Sequence, residues 1–114
     1  MIEYLGMLKK SLDANGFRYY DAGRQVHKVA VVGGSGGDEF HHAIRHNCDT
    51  FVTSDIKYSI FLEAMELGVN LIDGGHFCTE NVVVGALAGK LRSAFQDVQV
   101  FVSKRHKQVV EFFA

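Results

Sequence analysis

His76 and Glu80 stand four residues apart in the segment Asp73-Gly74-Gly75-His76-Phe77-Cys78-Thr79-Glu80. If a helix has begun by His76, their Cβ atoms lie roughly 5–6 Å apart on one face. An imidazole nitrogen and a carboxylate so placed can reach one divalent cation, or two adjacent ones. The helix start adds unpaired backbone N–H groups that favour an anionic ligand. The plainer reading makes Glu80 a first-turn carboxylate that complements the helix dipole, and His76 an ordinary N-terminal residue. Zinc takes about four protein ligands in structural sites and about three plus water in catalytic ones, so two donors are a partial set. Asp55 and Asp73 are nearby candidates, though each can instead cap a helix or fix a turn. Mixed imidazole and carboxylate donors suit Zn, Fe, Mn or Ni.

Other reactive side chains point to less. Cys78, between His76 and Glu80, is a soft thiol beside hard donors and reads as a buried or idle group. His41 and His42 are adjacent, and neighbours on a helix diverge by about 100°, so they read as a solvated helix surface. The run Gly33-Gly34-Ser35-Gly36-Gly37 could cradle a phosphate, but it lacks the Lys-Ser/Thr ending of a P-loop. It reads as a tight turn lining a site. The basic loop Ser103 to Lys107 has no interleaved aromatics and reads as a solvated hairpin.

These residues need a scaffold, and the hydrophobic pattern supplies one. Ile2, Leu5, Leu8 and Leu12 recur at helical spacing, with a stop expected at Asn15-Gly16. Residues 1–25 form this helix and a connection, in which Phe17 to Gln25 holds at most a short extended piece. His27 to Val32 ends in an apolar β-branched run, the pattern of a strand buried on both faces. A glycine turn and a helix over Asp38 to Asn47 follow, burying Phe40, Ala43 and Ile44. Thr50 to Thr53 is a second strand. Ser54-Asp55 is expected to cap a helix from about Ile56 to Leu67, burying Ile60, Phe61, Ala64 and Met65 and ending at Gly68. Val69 to Ile72 is a third strand, and His76 to Ala94 is mostly helix. Val98 to Val102 alternates as a fourth strand, with Val109 to Phe113 returning beside it.

The cadence predicts a single α/β domain over residues 1–114, a layered sandwich with a mostly parallel sheet of four to five strands covered by helices. Such sheets bind ligands beyond the carboxyl ends of their strands. There Gly33 to Asp38, Ser54-Asp55 and Asp73 to Glu80 converge.

Composition narrows the classes. Hydrophobic residues make up 47% of the 114 positions and charged residues 22%, a globular balance. With 12 basic and 13 acidic residues, nothing calls for nucleic acid or an anionic membrane. The apolar runs fall short of the ~20 residues that span a bilayer. No secretory signal is evident at the start, and two cysteines 30 positions apart suggest a reduced, cytoplasmic setting.

The segments VAVVGGSGGDEF (Val29 to Phe40), TSDIKY (Thr53 to Tyr58), ELGVNLIDGGHFCTE (Glu66 to Glu80) and VQVFVS (Val98 to Ser103) come in the order found in one family. From Val29 onward the chain resembles the C-terminal half of the Nif-three-like dinuclear-metal proteins, also called GTP cyclohydrolase one type-two homologues. The resemblance implies an α/β sandwich of two related halves, a hexameric ring of identical subunits and a two-metal hydrolase-type site. It makes His76 and Glu80 metal ligands and Asp55 a site-lining residue that could orient water or act as a base. Ser54 stands where the family commonly has glycine, and Ser59 where histidine is frequent. Nothing upstream of Val29 resembles the ligand segment of the family's N-terminal half. The chain is thus expected to be a fragment, or a reduced protein with an incomplete site. A small phosphate-containing substrate follows from the hydrolase reading. The alternatives are a metal-binding or regulatory assembly protein without turnover, and an inactive half-domain.

Overall fold

A computed structural model describes residues 1–113. Four strands form one sheet in the order β1-β4-β3-β2. β2 (Val29–Ser35), β3 (Thr50–Ser54) and β4 (Asn70–Asp73) run parallel, while β1 (Arg18–Tyr20) pairs antiparallel with β4. Four helices cover the sheet: α1 (Ile2–Leu12), α2 (Phe40–Arg45), α3 (Tyr58–Leu67) and α4 (His76–Ala94). A 3-10 turn over Gly37–Glu39 leads into α2.

The two-residue period of a strand decides the layers. Phe51 and Leu71 face one side and pack with Phe40, Ala43, Ile56 and Ala64 under α2 and α3. Val52 and Ile72 face the other side, where Leu8, Leu5 and Leu12 of α1 cover them. α4 lies on that second side, against β2 and beside α1. Phe40, Phe51, Leu71 and Ile72 are at most 1% exposed. Each such side chain contributes about 1.5–3 kcal/mol by leaving water.

The amino ends of the parallel strands are tied by a polar network. Asp49 accepts hydrogen bonds from the backbone N–H of His27 (3.1 Å) and Lys28 (2.6 Å) and from the Thr50 hydroxyl (2.7 Å). Asn70 donates to Thr50 Oγ1 at 3.1 Å and accepts from Ala22 N–H at 3.0 Å. Strand order across β2, β3 and β4 therefore has buried polar partners at one end and the candidate site at the other.

Several expectations are corrected. Val98 to Val102 and Val109 to Phe113 are not strands. Alternation makes a strand only where a neighbouring strand pairs with it, and these residues pair with neither edge of the sheet, leaving Phe101 82% exposed. The fourth strand is β1, within the predicted connection. β2 is not buried on both faces, because it is the sheet edge and Val31 is 64% exposed. α1 stops at Asp13, which adopts the left-handed conformation (φ 49°), ahead of Asn15-Gly16. α3 starts at Tyr58, with Lys57 before it and no side-chain cap; Ser54 and Asp55 do not cap it. Met65, expected inside, is largely exposed, and Ile44 is half-buried. Gly68 does end α3, at φ 64°.

Candidate functional site

The turns at the carboxyl ends of β2, β3 and β4 meet beside the start of α4. Asp73 ends β4 and is 6% exposed. Its Oδ2 accepts from Ile56 N–H (3.1 Å) and from the Arg18 guanidinium, and its Oδ1 accepts from Gly75 N–H (3.1 Å). All this capacity goes into joining β1, the segment after β3 and the turn before α4. Asp73 is thus a strut of the rim. Gly75, at φ 80°, takes a conformation costly for other residues, and α4 begins at the next residue.

Because α4 starts at His76, His76 and Glu80 occupy its first turns on one face, with Nε2 and Oε2 3.3 Å apart. On the other side of the ring, Nδ1 lies 2.5 Å from Asp55 Oδ2. Asp55 reaches it from a left-handed backbone position, φ 53°, which Asp tolerates better than most residues. The imidazole therefore stands between two carboxylates, each side chain about half exposed. The hydrogen bond to Asp55 chiefly raises the His76 pKa, partial desolvation opposes it, and the charges of Glu80 and Asp55 add to the rise. Both carboxylates thus favour the protonated ring, with Nδ1–H towards Asp55 and Nε2–H towards Glu80, and a cation held at Nε2 would take the place of that second proton.

His76 and Glu80 can jointly face one cation or two neighbouring ones. Asp55 and Glu80 address opposite ring nitrogens, so these three side chains do not converge on one point. Among the described residues, no group of three or more His, Cys, Asp or Glu side chains is arranged to hold one ion. The donor set matches a shared site in kind and falls short of it in number.

Beside the pair lies a cleft of about 650 Å³. Its lining combines the polar side chains Arg18, Asp55, His76 and Glu80 with the apolar Phe77, Val83, Val84, Val109 and Phe112. The C-terminal segment builds part of this lining. The His106 ring lies 5.0 Å from that of Phe77, Gln108 Nε2 donates to Cys78 Sγ at 3.5 Å, and Asn15 Nδ2 donates to the Val110 carbonyl at 3.2 Å. Cys78 itself is buried, 5% exposed.

The structure brings together Asp55, His76 and Glu80, and separates His41 and His42, which pair with Glu63 (3.0 Å) and Glu39 (2.6 Å) respectively. Sequence reasoning missed Arg18 and the C-terminal wall. Arg18 reaches the rim through an antiparallel pairing that no local pattern announces. His106 sits in a stretch that reads as a basic loop, and only the apolar run Val109 to Phe113 after it hinted at packing.

Comparison with known proteins adds to this geometry. A protein of Bacillus subtilis named GTP cyclohydrolase 1 type 2 homolog is 39% identical over 90% of this chain and 28% of its own length. One of the same name from Clostridium perfringens is 33% identical over 98% of this chain and 44% of its own. The crystal structure of Staphylococcus aureus protein SA1388 superposes with a TM-score of 0.87 at 28% identity, covering 97% of this chain and 38% of that one. The chain thus spans less than half the length of these relatives. The family model described as Duf34/NIF3 (NGG1p interacting factor 3) matches residues 1–108, so the likeness also takes in α1 and β1, upstream of Val29. By sequence and by fold, the chain belongs to the Duf34/NIF3 family.

Proposed function

We propose that this chain furnishes part of a two-metal, hydrolase-type centre, with His76 and Glu80 as metal ligands. The observation that carries the reading is the placement of His76, whose Nδ1 is held by Asp55 while Nε2 faces Glu80. A carboxylate on the far nitrogen of a ligating histidine fixes its tautomer and orientation. Asp55 thus positions His76 through one oxygen. Its other oxygen remains for the water-orienting or base role. Divalent ions, whether Zn, Fe, Mn or Ni, would activate water and stabilise charge developing on a substrate. The rest of the ligand set comes from a further part of a longer protein or from another copy of the chain. The name shared by the relatives, GTP cyclohydrolase 1 type 2 homolog, fits a small phosphate-containing substrate. A homo-oligomer, a hexamer by resemblance, working in the cytoplasm completes the proposal; no helix among the described residues is long and apolar enough to cross a membrane.

One observation favours a second reading. With two converging donors among the described residues, the chain alone fits a non-catalytic metal-binding or regulatory assembly protein, or a half-domain inactive by itself. Metal content and turnover separate these. His76→Ala and Glu80→Ala should each lower bound metal, measured by elemental analysis after dialysis, with circular dichroism unchanged because both side chains are half exposed. Unchanged metal in both variants rejects the ligand assignment. Metal uptake without hydrolysis of nucleotides or phosphoesters favours the second reading.

A further inference from the structure

Gly33 to Ser35, expected as part of a turn, continue β2, and the first turn of α4 rests on this strand end through Thr79 and Glu80. Thr79 precedes Glu80 and is 8% exposed. Its Oγ1 accepts a hydrogen bond from Gly34 N–H at 2.9 Å, and its own proton is shared between the carbonyls of Gly75 (3.0 Å) and His76 (3.1 Å). The Gly34 carbonyl accepts from Thr53 Oγ1 at 3.0 Å. Both polar backbone groups of Gly34 are therefore satisfied by threonine side chains, one from α4 and one from β3. This occurs where the β2–β3 register shifts: Val31 opposes Val52, but Ser35 opposes Ser54, so β2 carries extra residues. Such a bulge redirects the strand.

The fit at this point is close. Gly34 has φ 69°, and a Cβ there would stand 2.2 Å from Glu80 Oε1. A Cβ on Gly33 would stand 3.1 Å from the Thr79 carbonyl, and one on Gly74 would stand 2.8 Å from Thr79 Cγ2. The Glu80 carboxylate thus occupies the space left by the missing Gly34 side chain. Its polar contact among the described residues is His76.

We propose that Thr79 is a positioning residue and that, with Gly34, it sets where the Glu80 carboxylate stands relative to His76. The proposal rests on the reading of that pair as metal ligands and deepens it. A hydroxyl is required because it both accepts from β2 and donates within the helix start. Valine keeps the shape but leaves the Gly34 N–H without a partner in a buried place, so the helix start must shift to satisfy it. Serine keeps the hydroxyl.

The test compares the 114-residue chain with Thr79→Val, Thr79→Ser and Gly34→Ala, using crystal structures and Zn²⁺ titration calorimetry. Thr79→Val and Gly34→Ala should draw Glu80 Oε2 away from His76 Nε2, beyond the present 3.3 Å, and weaken Zn²⁺ binding about 10-fold, the lower end for lost outer-shell support. Thr79→Ser should restore both. If Gly34→Ala does not fold, Thr53→Val, which unties the carbonyl of the same residue, takes its place with the same expected displacement. Glu80 in its original position with unaltered Zn²⁺ affinity in both variants would overturn the proposal. A wild-type chain that takes up no Zn²⁺ sinks the metal reading alone. The position of Glu80 in the variant crystals then still decides the positioning role.

Discussion

Replacing Asp49 with Asn perturbs the end of the sheet opposite the candidate site. The carboxylate accepts from the two backbone N–H groups just before β2 and from the Thr50 hydroxyl, at 2.6–3.1 Å. Asp49 also bonds through its backbone to Lys28 and Asn70, which joins β3 to both neighbours. Burial alone would raise its pKa; the Lys28 N–H, the Thr50 hydroxyl, the His27 N–H and the Arg24 charge together outweigh burial and hold the carboxyl below its usual range. Hydrogen bonds to charged groups contribute about 1.5–3 kcal/mol each when shielded. Asparagine keeps one acceptor, and water can reach the exposed residues His27 and Lys28, so the expected loss at pH 7 is about 2 kcal/mol in total. For a domain near this size that lowers the melting temperature by roughly 10 °C. The pH dependence has a definite sign. A carboxyl whose folded pKa is depressed adds stability that is fully present above its unfolded value, near 3.9, and is lost as pH falls through the folded value. Urea unfolding followed by circular dichroism from pH 7 to pH 3 should therefore show a gap between wild type and Asp49→Asn that narrows in acid. A constant gap across that range would refute the reasoning.

Asp55→Asn keeps a residue that tolerates the left-handed backbone, φ 53°, but removes the charged partner of His76 Nδ1. Zn²⁺ affinity should fall about 10- to 100-fold by calorimetry with little change in melting temperature, and an unchanged affinity would remove Asp55 from the site. At Gly68 a Cβ would meet nothing within 4 Å, so Gly68→Ala is penalised only through its φ of 64°. That conformation costs about 1–2 kcal/mol, to be checked by the urea midpoint.

Elements whose signal is local were legible before the structure. The apolar runs of β3 and β4, the helical spacing in α1, the Gly68 stop and the shared face of His76 and Glu80 each follow from short-range periodicity. What escaped reading depends on distant partners. Asp55 could be set beside the site only by resemblance, because its residue type alone equally suits a helix cap and its bond to His76 lies 21 positions away. Asp73 resembles a ligand until Arg18, 55 positions upstream, occupies it. Thr79 lies inside the very segment that drew notice, yet its partner is Gly34, 45 positions earlier. Val98 to Val102 misled for the reverse reason: its alternation is genuine, yet among the described residues it pairs with neither edge of the sheet, β1 or β2.

The cleft has walls of unequal stiffness. On one side Asp55, His76 and Glu80 stand on strand ends and a helix start held by the sheet, so their spacing changes only if the sheet does. The opposite side leans on the stretch around His106 to Phe112, which has no ladder of backbone bonds and is pinned by a ring contact, a thiol and an amide. Segments held so lightly open at a fraction of the free energy needed to unfold the core. The charged residues are therefore fixed more firmly than the C-terminal flank of the cleft.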